Sequence, residues 1–242
     1  MPPIARFLYA LYAAVLFAVI ALGAVLVMIP MPGLTRRRWL ARTGARAFLR
    51  LAGMPLTVEG LQRLPPGHCI LVANHCSYLD GVAFTAALPP RFGFVIKREM
   101  ASVPVAGLLL NRIGSQFMAR DRAAQTTRDA RRVMRSAENG ESMVFFPEGT
   151  FSEEPGLLKF HFGAFAAAQR AGCPVVPAII HGSRVALSPR GRLPHPAALR
   201  IEILEPLIPG SPAGGAAAVA ALCRQARNAI LGRLEEPDRE AA

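Results

Sequence analysis

The length, composition and charge of the chain restrict the classes to which it can belong. Its 242 residues allow one sizeable domain with an appendage, or at most two small domains. With 52% hydrophobic and only 18% charged residues, the composition indicates contact with a membrane. The formal net charge of +12 predicts an anionic partner, which can be nucleic acid, an anionic bilayer or a phosphate-bearing substrate.

The first predicted element is an apolar helix near the N-terminus. Phe7–Ile29 is a run without a charge, about 34 Å long at the helical rise, and Pro30 and Pro32 follow it. A secretory signal peptide is the alternative, but the run is long for that class and no small-residue cleavage site follows it. The sequence therefore predicts a retained membrane helix.

A basic segment comes next, and no acidic residue precedes Glu59. Its arginines are Arg36, Arg37, Arg38, Arg42, Arg46 and Arg50. By the positive-inside rule this side of the apolar helix faces the cytoplasm. The last four are spaced by four residues and share one helix face, which predicts a basic amphipathic helix in an anionic lipid interface, with a solvated helix face as the alternative.

From about residue 55, apolar strand candidates alternate with helix candidates. The strand candidates are 69–73, 92–96, 115–118, 143–146, 175–180 and 199–204, and the helix candidates include 122–138 and 163–171, which ends at Gly172. The alternation predicts an α/β domain with a mixed, largely parallel sheet flanked by helices. We expect three segments: a membrane-anchoring helical segment over 1–54, this domain over 55–210, and a C-terminal linker and helix over 211–242.

A histidine and an aspartate follow the first of these strands. Ser77 to Asp80 fits the capping pattern [ST]-x-x-[DE] before an apolar run, which predicts a turn between His75 and a helix. The turn lets the Asp80 carboxylate point back to His75, whereas on one continuous helix the two would be about 140° apart. Asp80 can then fix the imidazole tautomer while His75 removes a proton from a hydroxyl. A capping aspartate beside an unrelated histidine is the alternative.

A second polar turn, Pro147-Glu148-Gly149-Thr150, follows the strand candidate 143–146. Proline ends the strand, and glycine allows close backbone approach. The carboxylate of Glu148 is expected to be exposed at the sheet edge, where it can accept hydrogen bonds from substrate hydroxyls. An ordinary turn is the alternative.

Together, the two stretches resemble the glycerolipid acyltransferase family, which includes the 1-acylglycerol-3-phosphate acyltransferases. The family's NHxxxxD and FPEGT motifs are both present, and its second and fourth motifs also match in order. The matching residues are Asn74, His75 and Asp80; Phe117 and Arg120; 146–150; and 176–179. The resemblance covers about residues 55–205 and implies a glycerolipid acyltransferase-like fold.

The resemblance implies a membrane-bound O-acyltransferase of phospholipid biosynthesis, with His75 as general base and Asp80 as its partner. It implies transfer of a fatty acyl group from acyl-CoA or acyl-carrier protein to a lysolipid hydroxyl, foremost that of 1-acylglycerol-3-phosphate. The implied substrate-binding residues are Asn74, Lys97, Arg120, Glu148, Gly149 and Thr150. The two cations would hold the acceptor phosphate. Expected partners are the acyl donor, the lysolipid and lipids of the inner membrane, with the catalytic domain on the cytoplasmic side.

Two positions depart from the family pattern. Phe151 stands where the third motif commonly continues with arginine, and Ala119 stands where an acidic residue commonly precedes the arginine of the second motif. A phosphate-binding cation is therefore missing from its usual place. Another lysophospholipid or a lyso-aminolipid is an alternative acceptor.

The remaining candidates carry weaker predictions. His161 and His181 are expected to be structural, and His68 and His195 receive no role. The cysteines are Cys69, Cys76, Cys173 and Cys223, which show no metal-ligand spacing and indicate reduced thiols. Cys76 is not expected to be a nucleophile, because adjacency to His75 in sequence does not align the two side chains. No metal or redox cofactor is expected beyond the acyl donor as co-substrate.

Two other functions fit parts of the sequence. An acyl-thioester hydrolase would use the same His-Asp pair with water as acceptor. A membrane-tethered nucleic-acid binder fits the net charge, but the arginines concentrate beside the apolar run, and no nucleic-acid-binding signature is present. We therefore expect no nucleic-acid partner.

Overall fold

The fold is organised around one mixed β-sheet. The computed structural model of the chain describes residues 2–119, 123–188, 193–210 and 214–240. Its strands are β1 (Leu56–Glu59), β2 (Ile70–Ala73), β3 (Phe92–Lys97), β4 (Gln116–Met118), β5 (Ser142–Phe145), β6 (Val175–His181) and β7 (Leu199–Ile203). Its helices are α1 (Pro3–Met28), α2 (Leu34–Leu51), α3 (Leu79–Ala87), α4 (Ala106–Arg112), α5 (Ala123–Glu138), α6 (Gly163–Ala171), α7 (Ser183–Ala186) and α8 (Gly215–Leu231).

The strands of the described residues follow the order β1-β7-β6-β2-β5-β3-β4. Neighbouring strands are parallel except for β6 and β7, which are antiparallel. The prediction of an α/β fold with a mixed, largely parallel sheet is therefore confirmed. In such sheets the carboxyl ends of the parallel strands meet at one edge, and ligands bind there.

Alternate residues of β2 face two different cores. Leu71 and Ala73 pack with α2 and α3, whereas Ile70 and Val72 pack with α5, α6 and α8. All four are fully buried, as expected for a central parallel strand covered by helices on both faces. Burying an aliphatic side chain of this size contributes about 1.5–3 kcal/mol. The two cores hold the carboxyl end of β2 in a fixed place.

From residue 69 onward, the predicted ends of the strands and helices agree to within one residue with those in the described part of the structure. The predicted helix over 163–171 is α6, and Gly172 caps it with a φ of +62°, a left-handed conformation that favours glycine. The predicted helix over 122–138 is α5, although residue 122 lies outside the described residues. The sequence does not predict β1, because a four-residue edge strand carries a weak signal.

The N-terminal helix α1 is, among the described residues, the one helix long and apolar enough to cross a membrane by length and composition. It packs along α2, where the rings of Phe17 and Phe48 lie 5.3 Å apart. The hydroxyl of Tyr9 donates to the carbonyl of Ala52 at 2.7 Å. Much of the remaining surface of α1 exposes large apolar side chains, which indicates membrane association.

The arginine stripe of α2 contacts the α/β domain. Arg38 is buried, and its guanidinium donates to two backbone carbonyls of the domain at 2.8 and 2.9 Å. Arg42 and Arg46 donate to the carbonyls of Ala87 and Ala86, at 3.3 and 2.8 Å. Cations are favourable there because the last carbonyls of a helix, here α3, lack intrahelical partners. The prediction that this stripe lies in a lipid interface is therefore wrong for Arg38, which is buried. For Arg42, which is half-buried, and for Arg46, which is exposed, it stays a prediction.

Candidate active site

The polar residues singled out in the sequence lie at the carboxyl edge of the sheet. His75 follows β2, Glu148 follows β5, and Lys97 is the last residue of β3. Because β2, β5 and β3 are parallel neighbours, their carboxyl ends come together. Asp80 approaches the same edge from the first turn of α3.

The side chains of His75 and Asp80 are hydrogen-bonded. Nδ1 of His75 lies 2.7 Å from Oδ2 of Asp80. The carboxylate is fully buried, whereas the imidazole is 18% exposed. Since a carboxylate oxygen accepts, Nδ1 carries the proton and Nε2 keeps a free lone pair. In this arrangement a histidine can remove a proton from a hydroxyl group.

Local contacts orient Asp80. Its Oδ2 also accepts the backbone N–H of Cys76 at 2.7 Å and that of Ser77 at 2.9 Å. The bond to Ser77 is the one that the capping pattern predicts, although the N-cap of α3 is Tyr78 rather than Ser77. The predicted turn between His75 and the helix is therefore present, and it brings the two side chains together.

Asn74 ties the end of β2 to β6. Its Oδ1 accepts the N–H of Ile180 at 2.8 Å, and its Nδ2 donates to the Ile180 carbonyl at 3.1 Å. The residue is 1% exposed. The family resemblance implies substrate binding for Asn74, which directly precedes His75. In the structure its buried side-chain amide is bonded to the backbone of Ile180.

Glu148 lies in the turn after β5, beside His75. Its Oε1 accepts the backbone N–H of His75 at 2.6 Å, and its Oε2 accepts that of Leu158 at 2.9 Å. Gly149 has a φ of +73°, so the turn requires a residue that tolerates the left-handed region. The expectation that this carboxylate is exposed is wrong. Glu148 is only 4% exposed, and its two oxygens accept hydrogen bonds from the two backbone N–H groups.

Burial raises the pKa of Glu148 to about 7. The N–H groups of Leu158 and His75 act in the opposite direction because they stabilise the charged form, and the carboxylates of Asp80 and Glu236 raise the pKa further. Glu148 therefore changes charge near neutral pH, directly beside the histidine. Groups perturbed in this way concentrate at functional sites.

Aromatic rings surround His75, a feature that the sequence does not predict. The ring of Phe146 stacks on the imidazole at a centroid distance of 4.3 Å, and Phe151 meets it edge-on at 4.4 Å. Phe151 also contacts Tyr78 at 4.9 Å. These rings restrict the orientation of the imidazole and give it an apolar surrounding. The departure from the family pattern at Phe151 is the one sequence signal for them.

Of the two cations predicted to bind the acceptor phosphate, Lys97 and Arg120, the structure describes only Lys97. Lys97 is half exposed, and its ammonium lies 3.8 Å from the carboxylate of Glu99. Arg120 lies outside the described residues. Thr150, at the end of the Glu148 turn, is exposed.

The buried carboxylate of Asp129, paired with the partly exposed Arg98, bonds to the backbone directly before residue 120. The carboxylate of Asp129, in α5, accepts Arg98 at 2.7 Å and the N–H of Ala119 at 2.9 Å. Although burial opposes ionisation, these bonds lower the pKa of Asp129. The family commonly carries an acidic residue at the position of Ala119, and here Asp129 brings a carboxylate to the backbone of that position from another helix.

The cysteines do not extend the site. All four are free and buried. Burial raises the pKa of the Cys76 thiol far above its ordinary value, which disfavours the thiolate that a nucleophile needs. Within the described parts of the chain, no group of three or more His, Cys, Asp and Glu side chains is arranged to hold a metal ion.

An apolar cavity of about 100 Å³ lies between α1, α2 and α3. Its wall includes Gly81 and Val82, the two residues that follow Asp80 in α3. Phe17 and Phe48 line it from the N-terminal helices. The helical segment thus contributes to an apolar space adjoining the helix that carries Asp80.

The family model described as Acyltransferase matches residues 55–181, slightly more than half of the chain. A chloroplastic 1-acyl-sn-glycerol-3-phosphate acyltransferase of Brassica napus is 32% identical over 177 residues, covering 72% of this chain and 49% of the relative. The human 1-acyl-sn-glycerol-3-phosphate acyltransferase beta is 32% identical over 179 residues, covering 70% and 62%. A lyso-ornithine lipid O-acyltransferase of Rhizobium meliloti is 33% identical over 156 residues, covering 64% and 52%.

The chain thus spans between 49% and 62% of the length of these relatives. The crystal structure of the 1-acyl-sn-glycerophosphate acyltransferase PlsC from Thermotoga maritima matches with a TM-score of 0.75. The match covers 96% of this chain and 98% of that chain at 24% sequence identity, which establishes a shared fold. The family match includes His75, Asp80 and the turn of Glu148, and it shows that this chain belongs to the acyltransferase family.

Proposed function

We propose that the protein transfers a fatty acyl group from a thioester to the hydroxyl group of a lysolipid. The observation that carries the proposal is the 2.7 Å bond between His75 Nδ1 and Asp80 Oδ2, which leaves Nε2 free at the carboxyl edge of the sheet. Membership of the acyltransferase family supports this chemistry. The names of the relatives support 1-acylglycerol-3-phosphate as the first candidate acceptor and phospholipid biosynthesis as the process.

In the proposed reaction His75 acts as a general base. Nε2 takes the proton of the acceptor hydroxyl while the hydroxyl oxygen attacks the carbonyl carbon of the thioester. The tetrahedral intermediate collapses, the carbon–sulfur bond breaks, and Nε2 returns the proton to the departing sulfur. The products are the acylated lipid and the free thiol of CoA or acyl-carrier protein, without an acyl-enzyme. Asp80 holds the tautomer of His75 and stabilises the imidazolium.

The acceptor side of the proposed site is built around Glu148. Its carboxylate is bonded to the backbone of the base residue, and Gly149 and Thr150 continue the same turn. Lys97 and Arg120 would supply cations for an acceptor phosphate. Asn74 is proposed to position the base, because its bonds to Ile180 hold the backbone before His75.

The helical segment 1–54 is proposed to anchor the domain 55–210 on the cytoplasmic side of the membrane, with 211–242 as a C-terminal extension. The apolar helix α1 supports the anchor. The arginines that follow α1, with no acidic residue before Glu59, support the cytoplasmic side. The apolar cavity beside Gly81 and Val82 supports binding of part of the acyl chain there.

Phe151 supports a lyso-aminolipid as a second candidate acceptor. Its ring occupies a position where the family commonly has arginine, and it contacts the imidazole of His75. An apolar ring offers no charge to a phosphate group. Relatives of 33% and 31% identity, from Rhizobium meliloti and Pseudomonas aeruginosa, are named lyso-ornithine lipid O-acyltransferases.

The test is thiol release from acyl-CoA and acyl-carrier protein by the full chain in detergent, with lysophosphatidate, lyso-ornithine lipid or no acceptor. We expect release that depends on an acceptor and is lost in His75→Ala. His161→Ala is the matched control, because His161 is exposed and lies outside the pair. Acceptor-independent release would identify a hydrolase, and normal release by His75→Ala would refute the assigned base.

A further inference from the structure

The end of the chain returns to the active-site edge of the sheet. We name residues 233–240 the C-terminal strap and residues 151–158 the acceptor loop, which directly follows the Glu148 turn. The N–H of Leu157 donates to the carbonyl of Pro237 at 2.9 Å, and the N–H of Arg239 donates to the carbonyl of Leu157 at 3.1 Å. Leu157 and Asp238 form a parallel bridge. The strap therefore pairs with the acceptor loop through backbone hydrogen bonds.

Charged side chains reinforce this pairing, among them Arg239, which donates to the Ser152 hydroxyl and pairs with Glu154. Oε2 of Glu236, in the strap, accepts the N–H of Gly156 at 2.7 Å and lies 3.1 Å from Nη2 of Arg184. Arg184 also donates to the carbonyls of Ser152 and Glu153 in the acceptor loop. Its Nη2 lies 3.6 Å from Sγ of Cys76, the residue after His75. Arg184 therefore connects the strap, the acceptor loop and the turn of the base.

The strap is packed too closely on the acceptor loop to admit a side chain between them. Gly156 has a φ of +136°, and a Cβ atom there would lie 2.4 Å from the side chain of Arg239 and 3.0 Å from the Pro237 carbonyl. From α8, the buried Arg227 donates to Asp238 at 2.9 Å and so anchors the strap to the body of the domain.

The acceptor loop in turn holds Glu148. The N–H of Leu158 donates to Oε2 of Glu148 at 2.9 Å, and Leu158 adjoins the paired residue Leu157. We propose that Arg184 and Glu236 are positioning residues for the acceptor: they fix the acceptor loop, and the loop fixes the carboxylate of Glu148. This inference rests on the proposed function, because it assigns Glu148 to the acceptor side of the site.

The kinetic test uses Glu236→Ala in the full chain, with Glu235→Ala as the matched control. Glu235 is the neighbouring carboxylate, and it is exposed. Loss of a charge-assisted hydrogen bond predicts a rise of about tenfold in KM for the lysolipid, with KM for the acyl donor unchanged. Glu236→Gln, which keeps an acceptor for Gly156, should restore most of the affinity. An unchanged KM for the lysolipid, or equal rises for both substrates, would overturn the proposal.

A second measurement does not depend on turnover. Hydrogen–deuterium exchange should increase in peptides covering residues 152–158 in Glu236→Ala and stay unchanged in Glu235→Ala. Unchanged exchange there, or an equal increase over the whole domain, would contradict the positioning role. If the unmodified protein transfers no acyl group to any lysolipid, the proposed function fails, and the exchange experiment alone decides whether Glu236 fixes the loop.

Discussion

The two carboxylates of the site are held by different parts of the chain. Asp80 takes its hydrogen bonds from His75, Cys76 and Ser77, all within five residues. Glu148 takes one bond from His75 and one from Leu158, and the loop of Leu158 is paired with the C-terminal strap. Asp80 is thus positioned by a single turn, whereas the position of Glu148 depends on segments that are distant in sequence.

Substitutions near the two carboxylates are therefore expected to have different effects on activity. A change within the turn of Asp80 affects the proton-accepting histidine directly and leaves distant contacts intact. A change around Glu148 alters the charge, burial and support of a carboxylate that is proposed to face the acceptor. Variants of the local region are therefore expected to act on the base, and variants of the region with distant support on the acceptor.

The largest effect is expected for Asp80→Asn. Asparagine keeps an acceptor for the N–H groups of Cys76 and Ser77, but it carries no charge to stabilise the imidazolium of His75. We expect kcat to fall about 10³- to 10⁴-fold, by analogy with other His-carboxylate pairs. Thiol release at saturating substrates measures it, and Glu235→Gln is the control. A fall in kcat of less than tenfold would refute the role of Asp80.

The next effect concerns Glu148 and pH. Its pKa in the folded protein, about 7, lies above the ordinary value of 4.5. Below pH 4.5 the group is neutral in both states, so its stabilising contribution is fully present. Between pH 4.5 and 7 the unfolded chain ionises first, and the free energy of unfolding should fall by about 3 kcal/mol from this group.

Glu148→Gln should remove this contribution to the pH dependence. Urea unfolding in detergent micelles, at intervals from pH 4.5 to 8, measures it for both proteins. The difference between the two free energies of unfolding should change by about 3 kcal/mol across that range. Parallel profiles would show that Glu148 does not titrate as its burial predicts.

The smallest effect is expected for Phe151→Arg. A guanidinium beside His75 offers a phosphate group a charge-assisted bond that the phenylalanine ring lacks. We expect the ratio of kcat/KM for lysophosphatidate to that for lyso-ornithine lipid to rise about tenfold. Phe162→Arg is the matched control, because Phe162 is an exposed phenylalanine outside the aromatic contacts of His75. An unchanged ratio would exclude Phe151 as a determinant of acceptor choice.

The local part of the site could be predicted from the sequence because its geometry is set within one turn. The spacing of Ser77 and Asp80 carries the capping signal, and the capping contact brings the aspartate to His75. The alternation of strands and helices likewise predicts the sheet whose carboxyl edge gathers the motifs. Both rest on patterns that repeat over a few residues.

The rest could not be predicted, because periodicity identifies a face and not what covers it. The spacing of the α2 arginines predicts a stripe that faces lipid, but Arg38 is buried, and Arg42 and Arg46 donate to carbonyls at the end of α3. The bond between Gly156 and Glu236 joins residues 80 positions apart, and no local sequence pattern predicts it. The aromatic rings around His75 come from the other motif turn, so the sequence cannot predict these contacts before the two turns are placed in space.

The contacts of α2 have a mechanical consequence. Arg38, Arg42 and Arg46 bond α2 to the domain, and α1 packs along α2, so side-chain contacts join the apolar helix to the domain that carries the sheet. With α1 embedded in a bilayer as proposed, these contacts would carry a tilt of this helix to the sheet edge at which His75 lies. A helix adapts to a mismatch between its apolar length and the bilayer thickness by tilting, so this mismatch would influence the height of the reactive edge above the lipid headgroups.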